Sequence, residues 1–208
     1  MPDVHVPKLD EHGSKSVLKI AFEVAMIAVG VFLGVAGEQW RDARHQRELA
    51  HEALQRFRAE IVENRVSVAG VKEYHATLQK ELETEFAKPV QKRTGENIHL
   101  HGIRPARFDH SAWDLAVGTQ ALSHIDADLA LALATIYNAQ GSVDGLTQGV
   151  TQSMYITPPT DEKNASTFMG ALMIYLGDMI IYEPRLLSMY DELLPKIDRA
   201  LGEKAPGR

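Results

Sequence analysis

The side chains best suited to chemistry in this sequence are histidines, because it contains nine of them and no cysteine. His99 and His101 would place two imidazoles on one side of an extended segment, as in many metal sites. Glu48 and His51 have the one-turn spacing found in di-iron carboxylate bundles. Such a site needs a second Glu-x-x-His pair on another helix, and the only other match, Glu96 with His99, falls in a Gly- and Pro-rich segment. We therefore expect no metal site and no cofactor.

The signatures of other catalytic classes are also lacking from the sequence. It contains no Gly-x-Ser-x-Gly elbow, no phosphate-binding glycine loop, no dinucleotide fingerprint and no His-Glu-x-x-His. The lack of cysteine excludes disulfide-stapled folds, thiolate zinc sites and cysteine nucleophiles. A net charge of −6 argues against nucleic-acid binding. We expect a protein that is not an enzyme.

An uncharged apolar run at residues 24–37 is the most informative stretch. Extended back to Ile20, it gives about 18 residues interrupted only by Glu23, or about 27 Å of helix, which is enough to cross the hydrocarbon core of a bilayer. The run is flanked by residue types common at a lipid headgroup boundary, namely Lys19, Glu23, Trp40, Arg41 and Arg44. We predict a transmembrane anchor at residues 15–40 that follows a flexible tail at residues 1–14. A buried helix, a cleaved signal peptide and a helix lying on the membrane surface are the alternatives.

Two glycines within the run bear on association in the membrane. Gly30 and Gly34 form a Gly-x-x-x-Gly pair, which permits close approach of two helices in lipid. Small residues are also common in membrane helices that do not associate. The pair therefore predicts a homodimer contact through the anchor as one of two interpretations.

A heptad pattern continues beyond the anchor. Its apolar and polar members alternate steps of four and three: Ala50, Leu54, Phe57, Ile61, Asn64, Val68, Val71, His75, Leu78 and Leu82. This stripe must be buried either against the same helix of a second copy or against later helices of the same chain. Asn64 would fix the helix register in the first case, or bond a neighbouring group at the edge of a bundle in the second.

The remaining sequence is helical in period. Residues 87–109 are predicted to form a loop, Asp126 to cap a helix, and Pro158 with Pro159 to end it. Pro184 should kink or interrupt the last helix. We expect an all-α fold in which residues 41–208 form a helical bundle. The apolar stretch 168–182 contains Asp178 and is too short for a second span.

The segment from Glu23 through Ile27 and Gly30 to Trp40 and Arg41 resembles the N-terminus of a group of uncharacterised bacterial single-span membrane proteins. Further similarities are Leu54, the Glu60-x-x-x-Asn64 spacing, Ser111-Ala112-Trp113 and Tyr137. The resemblance implies a single-pass anchor in the bacterial inner membrane and a helical domain. It implies no activity.

Together these patterns predict a protein that contacts the lipid bilayer and binds an unknown protein partner or a second copy of itself. The side of the membrane on which the bundle lies is left open, because three basic residues precede the span and five follow it closely. One alternative is an extracytoplasmic ligand-binding or sensory bundle with polar groups such as Trp113, Tyr137 and Asp178 around a pocket. The other is a soluble metal-binding helical enzyme.

Overall fold

The computed structural model describes residues 11–158 and 162–202, and within them the chain is all-α, as the sequence predicts. The four helices are α1 (Glu11–Phe86), α2 (Ser111–Gly118), α3 (Ala127–Ile156) and α4 (Glu162–Ala200), with short 3-10 turns at Val90–Lys92 and Ala121–His124. The first ten residues of the predicted tail lie outside the described residues. The chain divides into two units, Met1–Glu48 and Leu49–Arg208.

The first unit contains the N-terminal part of α1, which carries the predicted anchor. Its large apolar side chains from Ile20 to Val35 are between 49% and 71% exposed. They point in all directions around the helix, because they occupy consecutive positions rather than one stripe. This part of α1 therefore has the composition and exposure of a helix suited to an apolar surrounding.

The second unit is a bundle in which the rest of α1 packs against α3 and α4. Nine of the ten heptad positions from Ala50 to Leu82 are buried, and Val71 is half-buried. The side chains covering them include Leu133, Ile136, Leu172, Leu176 and Tyr190. Of the two partners considered for the stripe, the later helices of the same chain are the ones found.

Three side-chain pairs fix the direction of α4 on α1. Arg58 bonds Asp198 at 2.6 Å, Arg65 bonds Asp191 at 2.7 Å, and His75 bonds Glu183 at 2.5 Å. Because residue numbers rise along α1 while they fall along α4, the two helices are antiparallel.

Helix α3 begins and ends where its sequence dictates. The carboxylate of Asp126 accepts hydrogen bonds from the amides of Asp128 and Leu129, both at 3.1 Å, as an N-cap does. The helix ends at Ile156, just before Thr157 and Pro158. Helix α4, in contrast, continues through Pro184 and Pro195 to Ala200, so Pro184 does not interrupt it.

Candidate functional site

The segment between α1 and α2, residues 87–110, is held along α1 by hydrogen bonds from α1 side chains. We call it the connector. The pairs, ordered down α1, are Glu85 with Thr94 and Gly95, Glu81 with His99, Tyr74 with His101 and Gly102, His75 with Ile103, Ser67 with Arg107, and Asn64 with Asp109. Positions fall on α1 as they rise on the connector, so the connector runs antiparallel to the helix. These bonds satisfy backbone groups that have no helix or strand of their own.

Asn64 and Glu60 fix the end of the connector. The Asn64 side chain donates to the carbonyl oxygen of Asp109 at 3.0 Å and accepts from the amide of Asp109 at 2.9 Å. Glu60 Oε2 accepts from the Ser111 hydroxyl and the Ala112 amide, both at 2.8 Å, and so caps the first turn of α2. Both polar ends of the Asn64 amide are thus used at the connector, within one chain, rather than at a second rod.

Replacing Asn64 with alanine is expected to lower the free energy of unfolding by about 1–3 kcal/mol, because two backbone groups of Asp109 lose their partner beside a buried position. Chemical denaturation of the chain in detergent micelles, followed by circular dichroism, measures this change. Glu63→Ala is the matched control, since Glu63 is exposed on the same turn. Equal destabilisation by the two variants would contradict the role given to Asn64.

Two carboxylates hold the first half of the connector. The Gly95 amide, the Lys88 ammonium and the Thr94 amide all donate to Glu85 and hold the pKa of that carboxyl below its ordinary value. The backbone amide and the ring of His99 do the same for the pKa of Glu81. The ionised forms therefore stabilise this part of the fold.

This predicts a loss of stability in acid. The stabilisation from Glu85 and Glu81 is fully present above their unfolded value, for which the ordinary pKa of 4.5 stands, and is lost as the pH falls through the lower folded values. The double variant Glu81→Gln/Glu85→Gln should show a shallower fall in the free energy of unfolding below about pH 4.5. Glu73→Gln, at an exposed position of α1, should keep the fall of the parent chain. A double variant with the same slope as the parent would contradict this account.

His75 and Glu183 form a buried pair between α1 and α4, with exposures of 0% and 1%. His75 Nε2 lies 2.8 Å from the carbonyl oxygen of Ile103, so this nitrogen must donate. A proton must also lie between Nδ1 and Glu183 Oε1, which are 2.5 Å apart. The pair is thus neutral as a whole in either arrangement of that proton. Among the described groups, none donates to the second oxygen, Glu183 Oε2.

An aromatic cluster lies beside Glu60. Trp113 stacks on Tyr137 with ring centroids 5.1 Å apart, and Phe57 contacts both rings. The Tyr137 hydroxyl donates to Glu60 Oε1 at 2.5 Å, and burial together with this bond to a carboxylate raises the pKa of Tyr137 well above its ordinary value. Asp178 lies apart from this cluster, in a cleft between α3 and α4. The three residues considered for one polar pocket therefore line no common cleft among those described.

The clefts of the bundle are small. One of about 300 Å³ lies beside Glu60, Glu63 and Ser111. Another of about 220 Å³ is nearly apolar and is lined by residues of the connector, α3 and α4: Leu100, Gly102, Ile103, Met154, Ala165, Phe168 and Met169. Two more, of about 310 and 210 Å³, lie along the groove between α3 and α4.

The histidines considered for metal chemistry have other partners. The His99 ring bonds Glu81 at 2.9 Å, and the His51 ring bonds Gln55 at 3.2 Å. Within residues 11–158 and 162–202, no group of three or more His, Asp or Glu side chains could hold a metal ion.

The residues singled out in the anchor lie on the exposed part of α1. Gly30 and Gly34 have open space where a Cβ would be. Lys19, Glu23, Trp40 and Arg41 are exposed, and Arg44 bonds Glu48 at 2.9 Å one turn further along.

Two described helices are long and apolar enough to cross a membrane. In α1, no residue of the most apolar stretch is buried, whereas 28% of the corresponding stretch of α4 is buried. Since α4 provides much of the bundle core, its apolar character has a use inside the domain. The exposed stretch of α1 is the one that could serve as a membrane anchor.

The chain was compared with protein families, curated proteins and solved structures. None of the three matches it.

Proposed function

We propose that this protein is a single-pass membrane protein whose helical bundle associates with other proteins at the bilayer surface and has no catalytic activity. The observation that supports it is the anchor, in which large apolar side chains from Ile20 to Val35 are about half or more exposed on every side of α1. In water such a surface is unfavourable by about 25 cal/mol per Å² of apolar area. In lipid it is the favoured one.

The flanking residues support the same arrangement. Lys19 and Glu23 lie at one end of the apolar stretch, and Trp40, Arg41 and Arg44 lie at the other. An indole ring and arginines are residue types that anchor a span at the headgroup level. The resemblance to bacterial single-span proteins agrees with a location in the inner membrane.

Association of the anchor follows from Gly30 and Gly34. No neighbouring atom lies within 4 Å of an added Cβ at either position, so no contact inside the chain requires these glycines. In lipid, two helices can approach closely over such a surface and gain van der Waals contacts. Anchoring also raises the effective concentration of two copies in the plane of the bilayer, which favours a dimer without additional contacts.

The double variant Gly30→Leu/Gly34→Leu is expected to reduce the crosslinked dimer of the full chain in native membranes, because leucine side chains hold the helices apart. The measurement is the fraction of dimer after treatment with an amine-reactive crosslinker. Val31→Leu/Val35→Leu, which adds bulk at other positions of the span, is the matched control and should leave the dimer unchanged. A monomer in the parent chain would contradict association through the anchor.

A second candidate function, binding of a small ligand by the bundle, is favoured by the nearly apolar cleft of about 220 Å³ between the connector and α4. It ranks second because ligand pockets generally combine apolar walls with a few polar groups that orient the ligand. Here the lining side chains are aliphatic, aromatic or methionine.

A further inference from the structure

The face of α3 and α4 that points away from α1 carries almost no charge on its α3 side. Seven exposed residues follow one another along α3 on this face, and none is charged: Leu131, Thr135, Asn138, Ser142, Gly145, Gly149 and Gln152. A helix facing only water usually carries charged residues on its outer side. Depletion of charge is a property of the centre of protein–protein interfaces.

The α4 side of this face carries exposed isoleucines. Ile174 is 70% exposed and Ile181, two turns further along, is 67% exposed. Leu131 on α3 is also 67% exposed. The core of the bundle therefore does not account for these side chains.

The two clefts of about 310 and 210 Å³ belong to one continuous groove. On α4, the first is lined by Ala171, Ile174, Tyr175 and Asp178, and the second by Met189, Glu192, Leu193 and Lys196. Each member of the second set follows one of the first by about five helical turns, so both sets lie on the same side of α4. The groove extends over most of the face.

This face is complementary to itself. Gly145 and Gly149 line the same cleft as Ile174, so the depression and the protruding side chain lie at the same height along the bundle. Neither glycine has a neighbour within 4 Å of an added Cβ. A two-fold axis parallel to α3 and α4 places α4 of one copy opposite α3 of the other at equal height. Ile174 of each copy then meets Gly145 and Gly149 of the other.

We propose that the face formed by α3 and α4 docks against the same face of a second copy, with Ile174 and Ile181 packed over the glycines of the partner copy. Charge placement favours this pairing, because Asp178 and Arg185 of α4 lie opposite the uncharged residues of α3 rather than opposite themselves. The surface is isologous, as a closed dimer requires. The inference rests on the proposed function, since it names the partner of the bundle and the residues that contact it.

The test uses the lack of cysteine in the chain. Two differently tagged full-length copies, one with Gly149→Cys and one with Ile174→Cys, are produced together and oxidised in native membranes. A disulfide forms readily only when the Cα atoms are about 4.5–7 Å apart. The matched control is Thr135→Cys with Ile174→Cys, since Thr135 lies on the same side of α3 but about 21 Å from Gly149.

We expect a mixed disulfide between residues 149 and 174 in at least about tenfold higher yield than between 135 and 174. Adding Ile181→Asp to both copies should abolish it, whereas Val66→Asp, on exposed α1 surface, should not. Circular dichroism of each variant shows whether the bundle stays folded.

Three results would overturn the inference. They are equal yields for the two pairs, disulfides only between two copies of Ile174→Cys, and cysteines at 149 and 174 that form no disulfide but are shielded from a water-soluble maleimide by another partner. In each case a chain that stays in the membrane pellet leaves the anchor proposal standing. A chain released from the pellet overturns the anchor proposal instead.

Discussion

Replacing His75 with leucine is expected to lower the free energy of unfolding by about 3–5 kcal/mol, because it leaves the Glu183 carboxyl buried without its partner. The Ile103 carbonyl oxygen loses its donor in the same variant. Glu183→Leu should be milder, about 1–3 kcal/mol, because a neutral imidazole without one partner costs less than a buried carboxyl. Chemical denaturation in detergent micelles measures both values.

The double variant His75→Leu/Glu183→Leu separates the pair from general loss of packing. It should be less destabilising than His75→Leu alone, since replacing both members of a buried ion pair by apolar residues can be close to neutral. Glu73→Leu, at an exposed position near His75 on α1, serves as the control and should change stability by less than about 0.5 kcal/mol. Additive effects of the two single substitutions would show that the pair does not act as a unit.

Two arginines in the middle of the anchor should release the protein from the membrane. Val29→Arg/Leu33→Arg puts two charges at the centre of the span, each unfavourable by about 3 kcal/mol on insertion scales. The expected result is a large fall in the fraction of chain recovered with membranes. Val62→Arg/Val66→Arg has the same spacing on exposed α1 surface of the bundle.

The control should leave the membrane fraction unchanged, because those two side chains already face outwards from the bundle. A fall of similar size in both variants would point to misfolding rather than to loss of the span. Recovery of Val29→Arg/Leu33→Arg in the membrane at the level of the parent chain would contradict the placement of residues 20–37 in lipid.

The sequence predicted the helical scaffold well, since its signals are local. The alternation of steps from Ala50 to Leu82 identified the buried side of α1, because a helix repeats every 3.6 residues whatever packs on it. The cap at Asp126 and the stop before Pro158 depend on one or two neighbours and were predicted correctly.

The course of the connector could not be predicted. Residues 87–109 were predicted as a loop, yet the bonds that hold it join residues up to 45 positions apart, such as Asn64 and Asp109. The partner of Asn64 is a backbone group, which every residue type provides, so no sequence pattern identifies it. The only available signal was a polar residue on an apolar stripe.

Long-range pairs on α4 were missed for a related reason. His75 stood out on the stripe, but its partner Glu183 is 108 residues away and has no spacing that marks it. Pro184 was expected to kink or interrupt this helix, yet α4 continues past it. Burial of Leu186, Tyr190 and Leu193 just beyond it offsets the unfavourable effect of proline, about 3 kcal/mol.

The central claim is that lipid surrounds residues 20–37, and alkaline carbonate extraction of membranes from cells that produce the full chain tests it most directly. Carbonate strips peripheral proteins and leaves inserted helices in the pellet. The account predicts the whole chain, with its N-terminus intact, in the pellet until detergent is added. Recovery of the intact chain in the carbonate supernatant would contradict it.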